Sequence, residues 1–142
     1  MQLNSYLTFD GQCEAAFTFY EQCLGGRIEA MITHAGTPAE QHVAPEWRNK
    51  ILHASLIVGN DVLMGSDAPP ERYKEPKGFS VSLQLDDPKE AERIFDALAT
   101  NGKVGMPLEK TFWAARFGML VDRFGIPWMV NCEQAAVGKG ER

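Results

Sequence analysis

The stretch EAAFTFYEQCLGG at residues 14–26 returns 76 residues later as EAERIFDALATNG at residues 90–102, and the fold follows from reading the two together. Glu14-Ala15, Phe19 and Gly26 recur as Glu90-Ala91, Phe95 and Gly102. A single match of this kind is weak, but a common offset across a dozen residues marks an internal duplication. In the first copy Ala16, Phe19, Tyr20, Cys23 and Leu24 form the stripe of an amphipathic helix, and Gly25-Gly26 stops it. In the second, Ala91, Ile94, Phe95 and Leu98 form the stripe. Asp87-Pro88-Lys89-Glu90 opens that helix with an N-cap acid, a first-turn proline and the glutamate of a capping box, and Asn101-Gly102 ends it.

Working outward, the residues before each helix alternate in polarity as a half-buried strand does. Leu3, Leu7 and Phe9 alternate with Asn4, Tyr6 and Thr8, and Val81, Leu83 and Leu85 alternate with Ser80, Ser82 and Gln84. Strand-like runs also follow each helix. They lie at residues 28–34, 51–58 and 62–66 in the first half and at 104–108, 117–121 and 126–131 in the second. Gly59-Asn60-Asp61 and Asp122-Arg123-Phe124-Gly125 supply the hairpin turns. The fold class is therefore α+β: two βαβββ modules whose mixed sheets enclose a cleft. The first module spans residues 1–66, a proline-rich charged linker spans 67–77, the second module spans 78–133, and 134–142 form a flexible tail. The polar segment 35–50, with its two prolines, reads as a long loop.

The composition fits a globular domain, with 142 residues, 44 % of them hydrophobic and 23 % charged. A net charge of −5 without a Lys/Arg cluster argues against nucleic acid as a partner. No apolar stretch approaches the roughly 20 residues of a membrane span, so no membrane partner is expected. The first 20 residues lack the basic and apolar regions of a signal peptide, which gives a cytoplasmic expectation. Cys13, Cys23 and Cys132 are odd in number and have no C-x-x-C spacing, so they read as buried thiols.

Strand parity assigns faces. Leu7, Phe9, Leu83 and Leu85 turn toward the helices. Asn4, Tyr6, Thr8, His53, Ser55, Met64 and Ser66 occupy the other face of the first sheet, and Ser80, Ser82, Gln84, Met129 and Asn131 that of the second. This face is too polar for a dry core. His53 and Asp67 are the candidate catalytic groups. For His53 the alternative is a hydrogen-bonded structural histidine, and for Asp67 ordinary turn chemistry. A Ser55 or Ser66, His53 and Asp67 triad lacks a nucleophile elbow. Phe112 and Trp113 offer a stacking surface for a planar ligand or for a subunit interface. Arg116 offers a charge for an anionic ligand, with Glu109 or Asp122 as structural partners. His34 and His42 with Glu40 and Glu46 lie in or beside the long loop, where a solvated loop is favoured over a metal site.

With these motifs in order along residues 1–133, the chain resembles the vicinal oxygen chelate superfamily, which includes glyoxalase I, extradiol dioxygenases and bleomycin-resistance binding proteins. Phe19-Tyr20 with Gly25-Gly26, Leu63-Met64-Gly65-Ser66-Asp67, Thr111-Phe112-Trp113, and Asp122-x-Phe124-Gly125-x-x-Trp128 are similar to its PhnB-like branch. The resemblance implies a homodimer, and a divalent metal held by one His or Glu on each of four strands. Those positions here are Asn4, Met64, Ser80 and Met129, or Ser5 if the first strand slips by one. Thioethers, an amide and a hydroxyl are poor ligands for such ions. No metal or other cofactor is therefore expected, with a divalent metal kept as the alternative. PhnB-like proteins are sometimes labelled methyltransferases, yet no Gly-rich loop for a nucleoside cofactor is visible.

The sequence thus implies a metal-independent small-molecule-binding protein, with Tyr6, His53, Met64, Ser66, Ser80, Trp113, Arg116 and Met129 as ligand contacts. The competing expectation is an isomerase or lyase that uses a metal, His53 or Asp67. A third is a scaffold or regulatory dimer without a ligand.

Overall fold

The computed structural model describes residues 1–133. The tail expected at 134–142 lies outside the described residues. The chain divides into two compact units, residues 1–75 and 76–142, so the segment 67–75, read as linker, belongs with the first unit. Each unit is a βαβββ module. The first runs β1 (Ser5–Phe9), α1 (Cys13–Leu24), β2 (Arg27–Thr33), β3 (Ile51–Val58) and β4 (Asp61–Asp67). The second runs β5 (Val81–Leu85), α2 (Pro88–Ala99), β6 (Lys103–Glu109), β7 (Ala114–Val121) and β8 (Pro127–Glu133). The sheets have the strand orders β1-β4-β3-β2 and β5-β8-β7-β6. In each sheet the first and last strands pair in parallel and the other pairs are antiparallel.

Helix α1 buries Cys13, Ala16, Phe17, Tyr20 and Cys23 against its sheet. Phe17, rather than Phe19, is the ring beneath the strands: it is fully buried, meets Phe9 and Tyr20 edge-on, and packs under Gly65. Each such ring contributes about 1.5–3 kcal/mol by leaving water. Leu3, expected on this face, is fully exposed because β1 starts only at Ser5. Helix α2 buries Ala91, Ile94, Phe95 and Leu98 as its periodicity requires. Its Asp87 carboxylate accepts the Lys89 N–H at 3.0 Å, while Glu90 pairs with Arg93 instead of closing a capping box.

The helix ends repeat the same stereochemistry. Gly25 and Asn101 adopt the left-handed conformation, with φ of 74° and 60°. At Gly26 and Gly102, one residue on, a Cβ would lie 2.5 Å and 2.4 Å from the carbonyl oxygens of Ile57 and Val121. At the β7–β8 turn Asp122 is buried and accepts the N–H groups of Phe124 and Ile126 at 2.8 and 3.1 Å and the Trp128 indole N–H at 2.8 Å.

Segment 35–50 contains two short 3₁₀ helices, Pro38–His42 and Pro45–Trp47, and is fastened at both ends. His34 and Ala35 donate their backbone N–H groups to the carbonyls of Lys50 and Arg48, Thr37 Oγ1 donates to the His34 carbonyl, and Lys50 Nζ reaches the Gly11 carbonyl. The segment is a solvated loop, with no buried residue in either 3₁₀ helix, and prolines that preset φ together with the buried His34 beside it hold it in place. All three cysteines are free and buried. Among the described residues no helix is long and apolar enough to cross a membrane.

Candidate functional site

Strand pairing gathers four of the expected ligand contacts on the face of the first sheet that α1 does not cover. Tyr6 lies opposite Met64 and Thr8 opposite Ser66 across the β1–β4 ladder, and Ser55 lies opposite Met64 across β3–β4. His53 shares the parity of Ser55. Tyr6 reaches diagonally over β4 to it: the Tyr6 hydroxyl and His53 Nδ1 are 3.2 Å apart, and the ring centroids are 5.8 Å apart. When the phenol donates, Nδ1 accepts and the imidazole carries its proton on Nε2, where it is a donor. Tyr6 is half exposed, so the pair is open to a ligand.

Asp67 does not join them. It ends β4 on the opposite face, 7 % exposed, with Oδ1 accepting the Cys13 N–H at 2.8 Å and Oδ2 the Ile51 N–H at 2.9 Å. Both oxygens hold backbone, so its expected place as a catalytic base is replaced by a structural one, and the discounted triad with His53 and Ser55 or Ser66 is not formed. It serves as a long-range cap for α1, whose N-cap residue Gln12 makes no side-chain capping bond. Beside it the Cys13 thiol is pushed well above its usual value, first by burial and then by the charges of Asp67 and Glu14. A thiol so held is protonated and poorly nucleophilic.

The remaining expected contacts lie in the second module. Met129 pairs with Ser82 and Met119 on the uncovered face, with Gln84 and Asn131 beside it and joined at 2.7 Å. Ser80 immediately precedes β5. Trp113 packs edge-on between Phe112, which is 90 % exposed, and Phe117, with centroids 4.8 and 5.5 Å away. Arg116 departs from expectation. It faces the helix side, opposite buried Cys132, and donates to Glu92 of α2 at 3.1 Å, neither to Glu109 nor to Asp122. Alternation along β7 puts it on the other side of the sheet from Met129 and leaves it no part in a ligand face with that residue.

The divalent metal that the resemblance implies finds no fitting donor set. Asn4 lies ahead of β1, where its amide meets Gln2, Met64 and Met129 carry thioethers, and Ser80 carries a hydroxyl. Ser5, at the start of β1, is no better. Among the described residues no group of three or more His, Cys, Asp or Glu side chains is placed to hold a metal ion.

Sequence reasoning overlooked Trp47. Its indole N–H is buried and meets no acceptor among the described residues. The residue lines a cavity of about 340 Å³ in the first module, between the 3₁₀ segment and the start of the 67–75 segment. His34, buried at 7 % exposure, lines it too and donates Nδ1–H to the Lys50 carbonyl at 2.9 Å. The Pro-Pro pair at 69–70 was the available signal that the facing segment is a fixed wall.

Comparison with known proteins agrees with this architecture. The sequence profile of the Glyoxalase/Bleomycin resistance protein/Dioxygenase superfamily matches residues 2–130, and the chain belongs to that superfamily. It is similar to protein YjdN of Escherichia coli (strain K12), with 36 % identity over 140 residues covering 92 % of this chain and 95 % of YjdN. Protein PA1353 from Pseudomonas aeruginosa is a structural relative with 51 % identity and a TM-score of 0.87, covering 95 % of this chain and 99 % of that one. The PhnB protein from Bacillus cereus, at 21 % identity and a TM-score of 0.78 over 93 % of this chain and 99 % of that one, shares the fold.

Proposed function

We propose that this superfamily member is a metal-independent small-molecule-binding protein whose ligand rests on the uncovered face of the first module, against Tyr6, His53, Met64 and Ser66. The single observation that carries the reading is the donor set. Where the family resemblance places metal ligands, this chain has two thioethers, an amide and a hydroxyl, none of them a good partner for a hard or borderline divalent ion. What remains is a face of mixed polarity, in which Met64 supplies adaptable apolar surface and the Tyr6–His53 pair supplies orientation. In the second module Ser80, Met129 and Trp113 offer a comparable mixture. A homodimer in the cytoplasm belongs to the same proposal.

Equilibrium dialysis against Ni, Zn, Mn and Fe, followed by metal analysis, tests the metal-independent part: no stoichiometric retention is expected, and tight binding of one ion per chain overturns it. Native mass spectrometry of protein purified from its own cell tests the ligand. A small molecule of defined mass is expected, and it should be lost in a Tyr6→Ala/His53→Ala double variant that keeps its fold.

A second reading is favoured by the 3.2 Å contact between the Tyr6 hydroxyl and His53 Nδ1. That pair has the geometry of a proton-transfer couple for an isomerase or lyase. Its signature is a bell-shaped pH–rate profile that loses one limb in His53→Ala and changes in Tyr6→Phe.

A further inference from the structure

The cavity beside Trp47 is a different site from the Tyr6–His53 face, and both of its walls are fastened. One wall, bearing Glu46 and Trp47, is held by the bonds from His34, Ala35 and Lys50 described above and by Arg48, which pairs with Glu40. The other, bearing Glu71 and Arg72, is held by Ala68 N–H to the Phe9 carbonyl at 2.8 Å and by Arg72 and Tyr73 N–H to the Pro69 carbonyl at 2.8 and 2.9 Å. A site so built binds without the cost of ordering its loops.

Its lining carries two kinds of group. His34 gives its Nδ1–H to Lys50, so the neutral ring keeps Nε2 as an acceptor. Asp67 in the floor and Glu46 and Glu71 at the rim add three carboxylates. Against these acceptors stands one cation, the Arg72 guanidinium, which forms no ion pair among the described residues. A purely cationic ligand would leave the Arg72 guanidinium idle, and a simple anion would face three carboxylates.

We propose that this cavity binds a small zwitterion of the α-amino-acid class. Its ammonium group lies toward His34, Glu46 and Glu71, and its carboxylate toward Arg72. At about 340 Å³ the space accommodates an amino acid with a modest side chain.

The test follows the Trp47 indole N–H resonance by NMR in the full chain, assigned from its absence in Trp47→Phe, during titration with glycine, L-leucine, ethylamine and acetate. The expected result is a saturable shift with at least one of the two amino acids. Binding should weaken about tenfold or more in Arg72→Ala and in Glu46→Gln/Glu71→Gln, since each removes a charged hydrogen-bond partner. Ethylamine and acetate, each with one of the two charged ends, should bind at least tenfold more weakly than that amino acid. No shift with either amino acid up to about 10 mM, well beyond a millimolar site, overturns the proposal. So does a shift that Arg72→Ala and Glu46→Gln/Glu71→Gln leave unchanged, or one that ethylamine or acetate alone reproduces.

Discussion

Helix α1 begins with the Cys13 N–H bonded to Asp67, 54 residues further along the chain, whereas α2 begins with the Lys89 N–H bonded to Asp87, two residues before it. Pro88 at the first position of α2 also has no N–H to satisfy. The two modules share their topology, yet one helix is capped across its sheet and the other caps itself. The strand position that carries Asp67 in β4, opposite Phe9, carries Cys132 in β8, opposite Leu85. Where a helix supplies its own cap, the sheet needs no carboxylate there, and a buried thiol fills the space. The second module instead places its buried carboxylate in the β7–β8 turn, where Asp122 organises residues within six of itself.

This contrast between distant and local fastening can be broken by substitution. Asp122→Ala should have the largest effect, about 3–5 kcal/mol in chemical denaturation, because it leaves the buried Trp128 N–H and two backbone N–H groups unsatisfied. Hydrogen exchange should show the lost protection confined to residues around 122–128. Asp67→Ala should cost about 2–4 kcal/mol, with protection lost at Cys13 and Ile51, amides far apart in sequence. If the Asp67 variant keeps full stability and those amides stay protected, the long-range cap is wrong. Asp87→Ala, an exposed local cap, should cost only about 1 kcal/mol.

A smaller effect concerns pH. Burial and the nearby Asp67 and Glu14 charges raise the Cys13 thiol above its unfolded value. The folded chain therefore holds that proton while the unfolded chain releases it. This contribution to stability is complete below the ordinary thiol range near pH 8.5 and declines as pH rises through it. Iodoacetamide at alkaline pH, read by mass spectrometry, should leave Cys13 unmodified in the native protein and alkylate it after unfolding. Rapid native alkylation would contradict the burial.

The same division between local and distant governs what could be read from residues alone. The α2 cap, both hairpin turns and the helix stops at Gly25 and Asn101 were legible, because each device lies within a few residues of the backbone it serves. Alternation along β1, β3 and β4 also put Tyr6, His53, Met64 and Ser66 on one face, since parity needs only the strand assignment. Asp67, Arg116 and Trp47 were not legible. The partners of Asp67 lie 54 and 16 residues away and that of Arg116 lies 24 away, and nothing near them in the chain distinguishes a fastened carboxylate from a free one. The Tyr6–His53 contact spans 47 residues and depends on a diagonal across β4 that parity alone does not reveal.

Gly26 and Gly102 hold equivalent places in the two modules. The uncovered faces of the two modules differ: Tyr6 corresponds to Ser82 and His53 to Phe117 through the shared ladders. The glycines do not differ, and any side chain there would strike a carbonyl of the neighbouring strand. Chemistry on an open surface can be exchanged one residue at a time, while a point of backbone contact offers no intermediate step. An engineer fusing or exchanging the two halves can therefore rewrite either face freely and should carry these two positions over untouched.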